Sequence, residues 1–222
     1  MKILAIGAHP DDIEVGCSGS LAKYARNGHD IYLLIMTEGH MGGEGAIRKK
    51  EQKKSAKILK PRELIWGGYK DTLLSPHMNQ MVHDIEVVLK KIAPDFIFVH
   101  HEDDTHQDHR ALAKATISAT RYVRNVLFYE GPTTQNFSPA VFVDIKETLD
   151  DKVAMLMAHH SQVQRTNIEG VSIKDIVRST AVFRGIQGRV QFAEAFVPLR
   201  LFININCSGS RQLGCRLLGS RQ

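Results

Sequence analysis

The chain has 222 residues, 43% hydrophobic and 24% charged, with a formal net charge of +5. That length suits one α/β domain with a real core, and no apolar run approaches a bilayer span. The charge does not point to nucleic acid: Arg211, Arg216 and Arg221 lie in an acid-free tail, the rest carries 26 basic against 24 acidic residues, and no basic stripe interleaved with aromatics remains.

Apolar runs of strand length alternate with segments of helical period. "KILAIGA" is a first strand, and "VGCSGSLAKYARNG" a helix stopped at Gly28. "DIYLLIMT" is a second strand, followed by the Gly-rich "TEGHMGGEG" and a helix that ends before Pro61. The Lys-rich "RKKEQKK" in that helix reads as a solvated face. "ELIWGG" is a third strand, and "HMNQMVHDIEVVLKKIA" a helix with Ile85, Val88, Leu89 and Ile92 on one face. "PDFIFVH", the helix "DHRALAKATISATRYVR" and the strand "NVLFYE" follow. A further strand "AVFVDI", helices at about 146–161 and near "IKDIVRSTAVFRG", and a closing "AFVPLRLFI" complete the pattern. The alternation predicts a Rossmann-like parallel sheet with helices on both faces, strand order 3-2-1-4-5, and C-terminal additions. We expect one domain over 1–206. The stretch 207–222 repeats "GSRQ" and is expected to be a disordered or non-native tail.

Two clusters carry chemistry. "AHPDDIEVGCSGS" leaves the first strand, and "HHEDDTHQDHRAL" leaves the fourth. In the expected order those strands are neighbours whose connections run to opposite faces, so both clusters line one crevice. His and Asp suit a borderline cation such as zinc, and a catalytic site takes three protein ligands and leaves a position open. His9 and Asp12 can converge on one ion from a turn, and His109 can supply the third bond. Asp11 is then placed to take a proton from activated water. His106 can stabilise an oxyanion or protonate a leaving amine, with Asp108 orienting it. Taken singly, "HPDD" also fits a helix-capping turn and "HQDH" a helix N-terminus.

Other groups read more blandly. Arg48 and Glu51 fit a surface ion pair, Asp71 a turn residue, and His159 and His160 the C-terminal end of a helix. Met78 and Met81 are core candidates. Cys17 is a buried packing thiol; with Cys207 and Cys215 it shows no ligand spacing, which suggests a reduced, cytoplasmic setting. The first residues run directly into strand pattern, so no signal segment is expected.

On "AHPDDIEVGCSG", "TEG", Arg48 with Glu51, "HQDH", "HHSQ" and "FAEAF", the chain resembles the LmbE-like, PIG-L-type family of zinc-dependent N-acetylglucosaminyl deacetylases over about residues 1–200. "HHSQ" and "AEAF" point to the bacterial branch that includes bacillithiol-pathway deacetylases. The resemblance implies zinc, or another divalent ion such as Fe2+, on His9, Asp12 and His109. It implies Asp11 as general base, His106 and Asp108 in catalysis, and Arg48 in sugar binding; Asp71, after the third strand, is a further candidate for the sugar hydroxyls. The sequence departs from the family where Ile13 precedes Glu14 and where Phe192 replaces a common Tyr. The activity expected is removal of acetyl from an N-acetylglucosamine-type sugar or glycoconjugate. Hydrolysis of another acyl amide, such as a thiol–sugar conjugate, and metal or sugar binding without turnover are the alternatives. The expected partners are a small N-acetyl sugar and further copies of the chain, with neither nucleic acid nor membrane.

Overall fold

The computed structural model describes residues 1–203 apart from Asn167. The expected tail 207–222 and the last residues of the expected domain lie outside the described residues. In chain order the elements are β1 (Lys2–Gly7), α1 (Asp12–Gly16), α2 (Ser18–Arg26), β2 (Asp30–Thr37), α3 (Gly45–Leu59), β3 (Glu63–Tyr69), α4 (Met78–Ile92) and β4 (Phe96–His100). Then come α5 (Gln107–Ala119), β5 (Val126–Tyr129), β6 (Val141–Asp144), α6 (Leu149–Met157), α7 (Ile173–Gly188) and β7 (Ala193–Arg200).

The strands form one sheet in the order β3-β2-β1-β4-β5-β7-β6. The first five strands are parallel, as alternating strands and helices require. The C-terminal additions β7 and β6 extend the edge antiparallel. Side chains alternate across the sheet. Leu4 and Ile6 of β1 face a core completed by Met81 and Ile85 of α4 and Leu112 of α5. Ile3 and Ala5 face the opposite core, with Ile13, Leu21 and Met155 from α1, α2 and α6. Helices therefore cover both faces. The period read in α4 is real: Met81, Ile85 and Ile92 are buried, and Met78, Val88 and Leu89 pack on the same cluster. Among the described residues no helix is long and apolar enough to cross a membrane.

The expected single helix after β1 is two. Cys17, at φ −147° and ψ 9°, breaks it. The break aims the first amides of α2 at a carboxylate from β7: Gly19 N–H donates to Glu194 Oε1 at 2.9 Å and Ser20 N–H to Oε2 at 2.7 Å. Glu194 also pairs with buried Lys152, so the acid of "FAEAF" ties the sheet edge to α2 and α6. Cys17 is fully buried, as expected, and burial pushes its thiol pKa well up. Gly16 has a steric reason, since a Cβ there would lie 2.1 Å from the Tyr129 ring. Phe192 packs with Ile145, Leu149 and Ala181 away from the crevice, so the hydroxyl it lacks is not missing from the cleft wall.

Candidate active site

The crevice opens where β1 and β4 end side by side. It is a cleft of about 590 Å³, within the usual range for small-molecule sites. The turn after β1 and the start of α1 supply His9, Asp11 and Asp12, and the N-cap and first turn of α5 supply His106 and His109. Both sequence clusters thus meet as the expected strand order requires.

Asp12 lies between two imidazoles. Its Oδ2 is 3.3 Å from His9 Nδ1, and its Oδ1 is 3.5 Å from His109 Nε2. The other nitrogen of each ring faces a buried carboxylate. His9 Nε2 is 3.0 Å from Asp71 Oδ1 and 3.3 Å from Asp108 Oδ2, and His109 Nδ1 is 3.3 Å from Asp104 Oδ1. For His9 the hydrogen bond to the Asp108 carboxylate is the arrangement that fixes the tautomer of a metal-binding histidine. His9 Nδ1 and His109 Nε2 each face a different oxygen of Asp12. Among the described residues the metal-competent groupings are His9, His106 and His109; Asp12, His100 and His109; and His9, Asp71 and Asp108, so the three expected ligands are spread over groups that share His9 and His109. The donor chemistry fits a borderline divalent cation.

The electrostatics agree. Burial alone would lower the His9 pKa, but Asp12, then hydrogen bonds to Asp108, Asp12 and Asp71, hold it well above its ordinary value. Burial likewise opposes protonation of His109, yet Asp12 and Asp104 raise it to about 9. Burial would raise the Asp12 pKa, and the charges of His109, His100 and His9 drive it well below the carboxylate range instead. The pocket therefore favours positive charge at these donors.

Asp11 is built differently. It has φ 87° and ψ −22°, a left-handed conformation that costs a non-glycine residue energy and is held by its surroundings. Arg48 Nη2 donates to Pro10 O at 2.7 Å and lies 3.3 Å from Asp11 Oδ1. Asp11 N–H donates to Gln52 Oε1 at 3.2 Å. Burial raises the Asp11 pKa to about 6 against the lowering effect of Arg48. His106 accepts the Asp108 backbone N–H at Nδ1 (3.2 Å), which leaves Nε2 to carry the proton of the neutral ring. Burial, then the charges of His109 and His9, lower the His106 pKa.

Several sequence expectations change here. Arg48 and Glu51 do not form a surface pair. Arg48 is buried with Nη1 on Gly39 O and Nη2 on Pro10 O, while Glu51 accepts from Ser161 N–H and Oγ–H. Both point inward because α3 packs on α6 and on the turn of "TEG". Gly39 must be glycine for this: its φ is 67° and a Cβ would meet Arg48 Nη1. Asp71 is not a free turn residue. It is buried against His9, and its Oδ2 accepts Met41 N–H at 2.8 Å. Burial would raise its pKa, but His9 brings it to about 2. Asp108 does not orient His106 with its carboxylate, which turns to His9 and accepts Thr72 N–H at 2.7 Å and Leu74 N–H at 3.2 Å. His159 does stand just past the end of α6, but its partner is a buried carboxylate. It is buried with Nε2 3.6 Å from Glu14 Oε1.

Two site residues escape the sequence reading. His100 ends β4, lies 3.0 Å from Asp12 Oδ2 and stacks on His109 with ring centroids 3.9 Å apart. Asp104 is buried behind His109 and accepts His106 N–H at 2.8 Å and Thr134 Oγ1–H at 2.9 Å. The signal for His100 is its place at the carboxyl end of the strand beside β1. Asp104 is marked only by the acidic run it belongs to.

Comparison with known proteins finds relatives among deacetylases. The PIG-L family model, GlcNAc-PI de-N-acetylase, matches residues 4–120. The uncharacterized deacetylase YaiS of Escherichia coli (strain K12) is 39% identical over 167 residues, covering 72% of this chain and 90% of that protein. The diacetylchitobiose deacetylase of Thermococcus kodakarensis is 27% identical, covering 92% of this chain and 85% of that one. Among solved structures, N,N'-diacetylchitobiose deacetylase from Pyrococcus horikoshii with its inhibitor MPG superposes at a TM-score of 0.78 with 26% identity, covering 89% of this chain and 83% of that one.

Proposed function

The chain belongs to the PIG-L family of deacetylases, and on that premise we propose that it is a metal-dependent N-deacetylase that hydrolyses the acetamide of an N-acetylglucosamine-type sugar or glycoconjugate. The observation that supports this reading is that Asp12 lies between His9 Nδ1 and His109 Nε2 at the cleft, with a carboxylate beside the other nitrogen of each ring. These three side chains would hold the cation, and zinc suits two imidazoles and one carboxylate with a position left open. A divalent ion held there supplies Lewis acidity and a lowered pKa for water.

The protein groups divide the remaining work. Asp11, with its pKa raised to about 6, is poised as a general base near neutral pH. It accepts a proton from the attacking water as the new C–O bond forms. His106 Nε2–H donates a hydrogen bond to the oxyanion of the tetrahedral intermediate. When the C–N bond breaks, the proton held by Asp11 passes to the nitrogen, and the products are acetate and a free amine. Asp71, Asp108 and Asp104 hold the two histidines in register. Arg48 and Gln52 hold the Asp11 turn. Arg48 and Asp71 border the cleft, but Arg48 Nη1 and Nη2 and both Asp71 oxygens are engaged by protein partners, so we assign both to positioning ahead of sugar contact.

The test is amine release from a panel of N-acetylated glucosaminides and chitooligosaccharides. The protein is stripped with chelator and then reloaded with zinc. Activity should vanish on stripping and return on reloading. Release that is indifferent to chelation contradicts the metal-dependent reading.

A further inference from the structure

The cleft has two unlike walls. The ionisable groups come from the strand exits. The facing wall comes from the segment between α6 and α7, the first turn of α7 and the turn after β2. There Ile168, Ile173, Ile176 and Met41 line the cleft, with Pro132 beside them. Met41 is 68% exposed and Ile168 58% exposed. Large apolar side chains gathered at the mouth of a polar pocket mark a surface that something covers.

The wall is built before any ligand arrives. Thr166 Oγ1–H donates to Val171 O at 2.6 Å, and Ile173 N–H donates to Val163 O at 3.0 Å, closing the loop on itself. Gln162 Nε2–H donates to Gly42 O at 3.2 Å, and Arg165 donates to the same carbonyl. Those bonds tie the loop to the turn that carries Met41. Arg165 thereby has a guanidinium nitrogen engaged by the protein, which weakens its claim as an anion receptor. Among the described residues lining the cleft, the only aromatic ring besides the histidines is Tyr129, which is buried and donates to Ile6 O at 2.8 Å. The mouth thus lacks the flat aromatic face that commonly supports a second sugar ring, and offers branched aliphatic surface instead.

We propose that this wall is a subsite for an apolar, aliphatic substituent on the acetylated sugar, so that the chain acts on alkyl-type glycoconjugates in preference to chitooligosaccharides. The proposal rests on the deacetylase reading above and adds the class of aglycone. Binding of the substituent removes Met41 and Ile168 from water, which drives the preference. Two buried methylenes are enough for about tenfold in affinity.

The experiment is calorimetric titration of the zinc-loaded full chain with methyl and hexyl N-acetylglucosaminides in both anomers, with N,N'-diacetylchitobiose and N-acetylglucosamine 1-phosphate as comparators. Amine release is recorded in parallel. The hexyl glycoside of one anomer should bind about tenfold or more tightly than its methyl counterpart and more tightly than either comparator. In the Met41→Ser, Ile168→Ser double variant the hexyl-to-methyl ratio should fall to near one. A ratio near one in the unaltered chain, a ratio that survives the double substitution, tighter binding of the phosphate or of chitobiose, or no measurable binding of either glycoside overturns the proposal. Preferential hexyl binding with no amine release from any compound supports the subsite and counts against the deacetylase reading, so the two fail separately.

Discussion

Arg48 and Asp11 are 37 positions apart, yet the Arg48 guanidinium clamps the turn that carries Asp11, with Nη2 2.7 Å from Pro10 O and 3.3 Å from Asp11 Oδ1. The clamp holds a left-handed, non-glycine conformation in place. A lysine has one nitrogen and cannot span Gly39, Pro10 and Asp11 together. Arg48→Lys should therefore lower kcat about tenfold or more with little change in KM. It should also lower stability by about 2 kcal/mol, since buried bonds from a charged donor are worth about 1.5–3 kcal/mol each. Steady-state kinetics beside a denaturant titration will read both. A raised KM with unchanged stability would instead return Arg48 to the substrate.

Asp104 should act on metal affinity. Its carboxylate faces His109 Nδ1, and losing such a partner costs about 10–100-fold in affinity. Competitive titration of Asp104→Asn against a chelator of known affinity should show a loss in that range. Affinity equal to the unaltered chain would mean that His109 needs no orienting carboxylate.

The pH dependence should change sign with metal. His109 has its pKa raised from 6.5 to about 9, because Asp12 and Asp104 outweigh burial. In metal-free protein its protonation adds stability that is fully present below the unfolded value and is lost as pH rises through about 9. Metal-free Tm should fall across that window. Metal loading should strengthen there, because protons compete with the ion for the same nitrogen. A metal-free Tm that rises between pH 6.5 and 9 would contradict the charge assignment.

The clusters after β1 and β4 were legible because each packs several ionisable groups into a few residues at the end of an apolar strand, and the parallel order made those ends neighbours. The supporting carboxylates were not. Asp71 stands alone in a turn, and only the fold brings it to His9. Asp108 precedes His109, which suggested service to His106, but the first turn of α5 points its carboxylate at Thr72, Leu74 and His9. Arg48 and Glu51 sit at surface-pair spacing, and spacing alone does not reveal that both face inward to different partners. The break at Cys17 depends on Glu194, about 175 residues later in the chain, so no local pattern announces it.

Glu194 gives a stability prediction separate from the chemistry. It and Lys152 are nearly inaccessible, with side chains 4% and 3% exposed. Glu194→Ala leaves the Lys152 charge and two amides of α2 without their partner. Breaking a buried pair from one side costs about 3–5 kcal/mol, which in a chain of this size lowers Tm by roughly 6–12 °C or more. Calorimetry will show it. A shift of a degree or two would mean that water replaces the carboxylate without loss.

The central claim is that Asp11 moves the proton while His9, Asp12 and His109 hold the metal. Asp11→Asn keeps the shape of the side chain and removes the proton acceptor. The direct measurement is zinc content and amine release on the same Asp11→Asn preparation, against a substrate the unaltered chain turns over. The account predicts about one zinc per chain, as in the unaltered protein, with turnover lower by roughly 10²-fold or more. Full zinc with near-normal turnover would contradict it and move the base to another residue.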